Sequence, residues 1–191
     1  MTTSVPTQRD PRRPEAPDWG VDYGISELWS EITPGLYVGG TDDHDTIAYQ
    51  TNYEIQRRTG DRYPTDVEQV LIQPEDFDAV VTLYAFARPV GWGVQELRSG
   101  FMDGAQVPAQ RDLLELVEWA HRRWTRGERV LVRCQAGLNR SGLIAALVLV
   151  RAGLEPMDAV SLLRERRSSH SLFNKTFLEY VLGVDGADWR E

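Results

Sequence analysis

The 191-residue sequence contains a single cysteine, Cys134. One cysteine forms no internal disulfide, which excludes a small secreted fold held together by disulfides and is typical of a protein in a reducing compartment. The N-terminus lacks the apolar core of a signal peptide, and the longest apolar run, residues 143–150, is far shorter than the roughly 20 residues that cross a bilayer. We therefore expect a cytoplasmic protein without a membrane anchor.

Basic residues are also few, 21 against 29 acidic ones, and the formal net charge is −8. No basic stripe is visible, which disfavours a nucleic-acid partner because the phosphate backbone binds clustered lysine and arginine. The three histidines, His44, His121 and His170, have no metal-ligand spacing. We expect neither a metal site nor a nucleic-acid interface.

The chain length and composition predict one globular domain. Residues 1–18 contain four prolines and almost no apolar side chains, so we expect a disordered tail there. Residues 19–191 form the expected single domain, with a polar excursion at about 41–65 that interrupts it. Short helices are expected near 53–58 and 66–72. The oligomeric state stays open.

Strand and helix patterns alternate along the rest of the chain, which predicts an α/β fold. Strands are predicted at residues 36–38, 77–84 and 129–134, and helices at 110–126 and 141–152. Two further helices are predicted to begin at Pro156 and near Asn174. Met157 and Val160 are predicted on the inner face of the helix that begins at Pro156. Residues 87–108 are rich in glycine and proline, and we expect this stretch to be irregular.

One loop stands out between two apolar segments. The run Val130–Val132 is followed within two residues by Cys134, and the next apolar segment begins at Leu143. A strand, loop and helix in this order aim several free N–H groups and the positive end of the helix dipole at one point, which makes an anion site. Arg140 can close this site with a planar guanidinium that suits two phosphoryl oxygens.

This pattern predicts a cysteine nucleophile that attacks a phosphate. A helix N-terminus and a nearby cation favour the thiolate, which is the nucleophilic form of Cys134. Gly137 lets the loop curl with a positive φ, and Ser141 is positioned to hydrogen-bond the sulfur and ease its later departure. An isolated cysteine is more often a buried apolar side chain, but the joint occurrence of these residues favours catalysis. The phosphoryl oxygens would bind the Arg140 guanidinium and the backbone N–H groups of Gln135, Ala136, Gly137, Leu138, Asn139 and Arg140.

Residues 132–142 resemble the signature of cysteine-dependent protein phosphatases, in which five residues separate a cysteine from an arginine and Ser or Thr and then Gly follow. The flanking segments are similar to the dual-specificity branch in its opening strand, its central strand and its closing Asn-x-x-Phe helix, here residues 32–39, 78–84 and 174–182. The resemblance implies a central, mostly parallel sheet flanked by helices, as in protein tyrosine phosphatases. It also implies hydrolysis of phosphomonoesters without metal or other cofactor, with an aspartate on a separate loop as general acid.

Asp103 is the residue that we predict as this general acid. It precedes Cys134 by 31 positions and lies shortly ahead of a predicted helix, which is where the family has its acid. A carboxyl group in a partly apolar loop can supply the proton that a leaving alkoxide or phenoxide needs. The local Asp-Gly sequence is also typical of a plain turn, and Asp112 is the second candidate.

Arg133 is a departure from the family, which usually has histidine before the cysteine. On an alternating strand Arg133 points away from Cys134, which is consistent with a structural arginine paired with a buried carboxylate. Alternatively, its charge helps to form the thiolate, as the family's histidine is thought to do. The sequence does not rank these two roles.

The expected substrate is phosphotyrosine, phosphoserine or phosphothreonine in a protein or peptide. Phosphoinositide phosphatases of this fold tend to have lysines in the loop, whereas the loop residues here are uncharged. The pair Asn139-Arg140 resembles the loop of RNA 5′-triphosphatases, but the acidic balance and Asp103 count against that class. An inactive phosphate-binding module stays open, and a rhodanese-like sulfur transferase fits the spacing from Cys134 to Arg140 less well.

Overall fold

The structure, a computed structural model, describes residues 23–25, 27–41 and 72–189. The predicted tail and the helix near 53–58 lie outside these residues, as do nearly all of the excursion at 41–65 and of the helix near 66–72, and these expectations stay predictions. The strands are β1 (Trp29–Thr33), β2 (Leu36–Gly39), β3 (Ala79–Thr82), β4 (Gln95–Arg98) and β5 (Val130–Arg133). The helices are α1 (Gln110–Trp124), α2 (Arg140–Arg151), α3 (Pro156–Arg166), α4 (Lys175–Gly183) and α5 (Gly186–Trp189).

The five strands form one sheet in the order β1-β2-β5-β3-β4. Only the β1–β2 pair is antiparallel, whereas the β2–β5, β5–β3 and β3–β4 pairs are parallel. The predicted α/β fold with a central, mostly parallel sheet is therefore confirmed. Because parallel strands end at the same edge of a sheet, the segments that follow β2, β3, β4 and β5 lie side by side.

The two faces of the sheet are covered differently. Alternate residues of β5 point to opposite faces: Val130 and Val132 join the large core with all five helices, and Leu131 joins a smaller cluster with Trp29 and Phe77. Helix α2 is at the centre of the large core, and its residues from Arg140 to Val150 are all buried. Each fully buried Leu, Ile or Val contributes about 1.5–3 kcal/mol, so this one helix supplies much of the stability that fixes the loop before it.

The helix boundaries follow local signals. Pro156 is the first residue of α3, where its missing N–H costs no hydrogen bond. Asn174 precedes α4, and its side-chain oxygen accepts hydrogen bonds from the N–H groups of Thr176 (3.0 Å) and Phe177 (3.4 Å). Past α1, Gly127 has a φ of +89°, a conformation that favours glycine and turns the chain toward β5.

Two expectations for the fold are wrong. The stretch 87–108 contains strand β4, an edge strand that pairs only with β3 and has no β-branched residue to announce it. Met157 is 58% exposed, whereas Val160 and Leu163 are buried. At 3.6 residues per turn, Met157 lies about 110° from the middle of the buried stripe of α3, which explains its exposure.

Candidate active site

The candidate site lies at the edge of the sheet where the parallel strands end. Residues 134–139 connect β5 to α2 and run beside Gly39, the last residue of β2, and Gly40, which follows it. The Cys134 N–H donates to Gly39 O (3.2 Å), and the Leu83 N–H donates to Arg133 O (2.9 Å), so the ends of β2 and β3 hold the start of the loop. The position of the loop is thus set by backbone pairing of the central strands.

The carbonyl groups of residues 135–139 in this loop are all engaged by groups that do not line the pocket. The acceptors, with their donors, are Gln135 O (Thr41 N, 2.8 Å), Ala136 O (Arg167 Nη2, 3.2 Å), Gly137 O (Arg167 Nε, 3.2 Å), Leu138 O (Leu172 N, 3.1 Å) and Asn139 O (Leu143 N, 2.8 Å). The C=O of one residue and the N–H of the next share a peptide unit and point in opposite directions, so these bonds turn the N–H groups of residues 136–140 toward the pocket. Within the described ranges of the chain, no group accepts from these N–H groups. Such a ring of N–H groups is an anion site.

Glycine is required at one turn of this loop. Gly137 has a φ of +74°, which L side chains rarely adopt. A Cβ atom at Gly137 would lie 2.4 Å from the carbonyl carbon of Gly39 and 2.7 Å from the nitrogen of Gly40. Both neighbours are backbone and cannot move aside, so the close approach of the loop to the end of β2 depends on this glycine.

Cys134 lies at the base of the pocket with Ser141 beside it. The Cys134 side chain is 2% exposed, and its Sγ is 3.3 Å from Ser141 Oγ, a hydrogen bond in which either atom can donate. Ser141 is itself fully buried in the first turn of α2. The hydroxyl can therefore stabilise a negative sulfur, as the sequence suggested for this pair.

Arg140 is nine-tenths buried at the start of α2, with only part of its guanidinium used by the protein. Its Nη1 donates to Leu83 O (3.3 Å) and Phe101 O (3.1 Å), and its guanidinium carbon is 5.2 Å from the centre of the Tyr84 ring. Its Nε is buried and has no acceptor among the described residues. Two carbonyls thus fix the guanidinium while donors stay available to an anion in the pocket.

Asp103 lines the same pocket on the loop between β4 and α1. Its Oδ2 accepts from Asn139 Nδ2 (2.9 Å) and its Oδ1 from Asn174 Nδ2 (2.7 Å). Asp112, the second candidate, lies in the first turn of α1, where its Oδ1 is 3.3 Å from Arg111 Nε, and it does not line the pocket. The structure therefore brings Asp103, and not Asp112, together with Cys134 and Arg140.

Arg133 points away from the pocket and is nearly inaccessible to solvent. Its Nη2 is 3.1 Å from Glu96 Oε1, and its Nε donates to Thr82 Oγ1 (2.9 Å). Glu96 also accepts from Arg98 Nη1 (2.8 Å). Of the two roles considered for Arg133, the structural one matches this geometry: its charge is balanced by Glu96 and ties β5 to the edge strand β4.

The pocket has a volume of about 230 Å³ and includes two aromatic side chains that the sequence did not point to. Tyr23 and Phe173 stack with 9° between their ring planes and 6.0 Å between centroids, and Phe173 is 53% exposed. The lining residues are Tyr23, Asp103, Cys134, Gln135, Ala136, Leu138, Asn139, Arg140 and Phe173. Tyr23 lies far from the loop in sequence, so the only available signal was the aromatic Phe173 directly ahead of the Asn174 cap.

Arg167 is a buried cation beneath the loop that sequence reasoning also missed. Besides Ala136 O and Gly137 O, it donates to Glu27 O (2.7 Å) and Ser30 Oγ (3.2 Å). Burial lowers the pKa of Arg167 to about 10, and the negative charges of Cys134 and Glu27 oppose this lowering. Nothing in the local sequence distinguishes Arg167 from the neighbouring arginines, which are exposed.

The described residues contain no group of three or more His, Cys, Asp or Glu side chains that could hold a metal ion. In the same part of the chain, no helix combines the length and the apolarity that crossing a bilayer requires.

Comparison with known proteins relates the chain to phosphatases. The profile of the family "Dual specificity phosphatase, catalytic domain" matches residues 67–183. Over 91 residues the chain is 36% identical to protein tyrosine phosphatase type IVA 2 of Mus musculus, an alignment that covers 47% of this chain and 53% of that protein. The chain spans about half the length of the curated relatives it matches.

Solved structures share the fold at lower sequence identity. Tk-PTP in its active form superposes with a TM-score of 0.57 at 23% identity, covering 85% of this chain and 96% of the other. Human DUSP28 gives a TM-score of 0.60 at 17% identity, covering 87% and 95% of the two chains. At these identities the likeness is one of fold.

Proposed function

Because the chain belongs to the dual specificity phosphatase family, we propose that it hydrolyses phosphomonoesters through a phosphocysteine on Cys134, without a metal ion or other cofactor. The observation that carries this proposal is the loop of residues 135–139. The carbonyl groups of residues 135–139 are all bonded outside the pocket, so the N–H groups of the same peptide units, those of residues 136–140, face the space that the Cys134 sulfur and the Arg140 guanidinium also line. Donors converging beside a nucleophile suit the tetrahedral dianion of a phosphomonoester.

In the first step the thiolate of Cys134 attacks phosphorus, and the bond from phosphorus to the ester oxygen breaks as the S–P bond forms. The loop N–H groups and Arg140 hold the three non-bridging oxygens, where the transition state carries its charge. Arg140 is already fixed by Leu83 O and Phe101 O, so little side-chain entropy is lost when the phosphate binds.

Asp103 gives its proton to the ester oxygen as that oxygen leaves. In the second step a water molecule attacks the phosphocysteine, and the Asp103 carboxylate takes a proton from this water. The S–P bond then breaks, inorganic phosphate is released and the sulfur returns as thiolate. The Ser141 hydroxyl, 3.3 Å from Sγ, donates a hydrogen bond to the departing sulfur.

We propose an aryl phosphate, phosphotyrosine in a protein or peptide, as the preferred substrate. The paired rings of Tyr23 and Phe173 form an aromatic wall of the pocket, on which a phenyl ring can pack while its phosphate reaches the loop. Aromatic contacts add about 0.5–1.5 kcal/mol beyond the area that they bury, which corresponds to a two- to tenfold preference over an alkyl phosphate. On this proposal phosphoserine and phosphothreonine are hydrolysed at lower rates.

The uncharged loop side chains support a protein substrate over a phosphoinositide or an RNA 5′-triphosphate. Among the loop residues 135–139 there is no lysine or arginine to bind additional phosphate groups. The intact pair of Cys134 and Ser141, together with Asp103, supports an active enzyme over a phosphate-binding module. A nucleophilic thiol needs a reducing environment, so we propose the cytoplasm as its location.

Hydrolysis of p-nitrophenyl phosphate in the presence of a chelator tests the reaction class. We expect turnover by the wild type and none by Cys134→Ser, whose hydroxyl is a far weaker nucleophile. Lys175→Ala is the matched control, because Lys175 is exposed and lies outside the pocket, and it should retain the wild-type rate. Equal rates in wild type and Cys134→Ser, or turnover that requires a metal, would contradict the mechanism.

Asp103→Asn tests the general acid. We expect this variant to slow phenyl phosphate, a poor leaving group, by about 100-fold or more, and to slow p-nitrophenyl phosphate much less. An equal loss on both substrates would show that Asp103 does not donate the proton.

A further inference from the structure

Asn139 uses its side chain in a way that its position in the chain does not require. It is the residue before α2, where an asparagine commonly caps the helix, but its side chain makes no capping bond to α2. Asn139 is 3% exposed, and its amide donates from Nδ2 to Asp103 Oδ2 (2.9 Å) and accepts at Oδ1 from the Asn174 N–H (2.9 Å). The side chain thus connects the phosphate loop to two other loops.

The carboxyl group of Asp103 is held at both oxygens. Asn139 donates to Oδ2, and Asn174 donates to Oδ1 (2.7 Å) and to Gly104 O (3.0 Å). The Asp103 side chain is exposed and lies on an irregular loop, so these two amides are what fixes its direction. Each carboxyl oxygen has two lone pairs and can accept an amide N–H while it also carries or receives a proton.

We infer that Asn139 is a positioning residue for the proton transfer, an inference that rests on the proposed function with Asp103 as the general acid. Asn139 directly precedes Arg140, so the same turn of backbone that binds the phosphate also sets the distance from the phosphate to the acid. When Asp103 gives up its proton, the two amide N–H groups stabilise the charge that it acquires. The phosphate loop therefore takes part in leaving-group protonation as well as in binding phosphate.

Only an amide side chain at residue 139 can make both of these hydrogen bonds. A carboxylate at residue 139 would repel Asp103, a hydroxyl on a serine is too short to replace the bond, and an apolar side chain would leave the Asn174 N–H without its acceptor. Because the amide both donates and accepts, one side chain joins the acid loop to the start of α4.

The test measures two substrates on each of two variants. Asn139→Ala removes the amide, and Asn139→Ser removes it while keeping a hydroxyl that is too short to replace the bond to Asp103. We expect both variants to lower kcat for phenyl phosphate by about tenfold, and kcat for p-nitrophenyl phosphate by less than about twofold, since a good leaving group needs little protonation. The KM for both substrates should change little, because the loop N–H groups and Arg140 remain.

The ratio of the two rates is the readout that a structural role would not change. A fall in the folded fraction lowers both rates equally and leaves their ratio at the wild-type value, and that result would overturn the inference. In the Asp103→Asn background, Asn139→Ser should give no further loss on phenyl phosphate, because the acid through which it acts is already absent. If the double variant instead showed the product of the two single-variant rate losses on phenyl phosphate, that result would also contradict the inference. If Asp103→Asn itself affected both substrates alike, the proposed function would fail first, which separates the two failures.

Discussion

Removal of the buried cation beneath the phosphate loop, by Arg167→Met, is expected to destabilise the fold and to slow catalysis together. The guanidinium is 4% exposed and bonds three backbone carbonyls, those of Glu27, Ala136 and Gly137. Methionine has a similar reach but no donor, so these carbonyls would be left without this partner. Two of them belong to the loop that forms the anion site.

The size of the effect follows from two opposing contributions. A buried carbonyl that loses its donor costs about 1–3 kcal/mol, which gives about 3–9 kcal/mol for three. Against this, burial lowers the pKa of Arg167 from its ordinary value to about 10, which corresponds to about 3 kcal/mol that opposes burial of the charge, and methionine avoids this cost. The cost of the carbonyls prevails, and we expect the free energy of unfolding to fall by about 3 kcal/mol.

Thermal denaturation and steady-state kinetics on the same preparations measure both consequences. A loss of about 3 kcal/mol should lower the melting temperature by about 6–12 °C for a chain of this size. Well below that temperature, kcat/KM for p-nitrophenyl phosphate should fall by about 10- to 100-fold, because the peptide units after Ala136 and Gly137 are free to rotate and their N–H groups lose their aim. Arg167→Lys keeps the charge but has no planar fork, and should recover only part of the loss. Unchanged activity in a destabilised Arg167→Met would show that Arg167 supports the core and not the loop.

Three further predictions concern other parts of the structure. Gly137→Ala should abolish activity and lower the free energy of unfolding by more than the roughly 1–2 kcal/mol that a left-handed alanine costs, because its Cβ would lie 2.4 Å from the Gly39 backbone. Wild-type stability of this variant in urea denaturation would contradict the prediction. Asp78 accepts from Arg129, and this hydrogen bond holds the pKa of Asp78 below its usual range. The stabilisation is present above the ordinary pKa of an aspartate and is lost as the pH falls through the lowered pKa of Asp78. Asp78→Asn should therefore be less stable than the wild type by about 1 kcal/mol or less at pH 7, and the urea curves of the two proteins should converge in acid. Phe173→Ala should lower kcat/KM for a phosphotyrosine peptide by about two- to tenfold and leave a phosphoserine peptide unaffected; equal losses would remove the aromatic wall from the substrate proposal.

The contiguous half of the site could be predicted from the sequence because its geometry is local. A strand that leads to Cys134, a glycine at position 137 and an apolar helix after Arg140 determine one loop, and the structure has each of them. The central strands were predictable for the same reason, since β3 and β5 are short runs of buried apolar residues.

The rest of the site depends on packing between distant segments. Tyr23 and Phe173 stack on one wall of the pocket, and Arg167, just past the end of α3, donates to two carbonyls of the loop. No spacing in the sequence relates these three residues to Cys134. The edge strand β4 was missed because its pattern is half exposed, and Arg133 could be assigned to its pairing with Glu96 only once that strand was in view. Local chemistry was therefore readable, and contacts made by tertiary structure were not.

Direct observation of the phosphocysteine tests the central claim most directly. Ser141→Ala removes the hydroxyl 3.3 Å from Sγ, which should slow the breaking of the S–P bond more than its formation and let the intermediate accumulate. The variant would be mixed with p-nitrophenyl phosphate, quenched in acid during turnover, and its peptides analysed by mass spectrometry. We predict the added mass of one phosphoryl group on the peptide that contains Cys134, together with a burst of p-nitrophenol. Turnover with Cys134 unmodified at every time point, or a phosphoryl group on another residue, would contradict the mechanism.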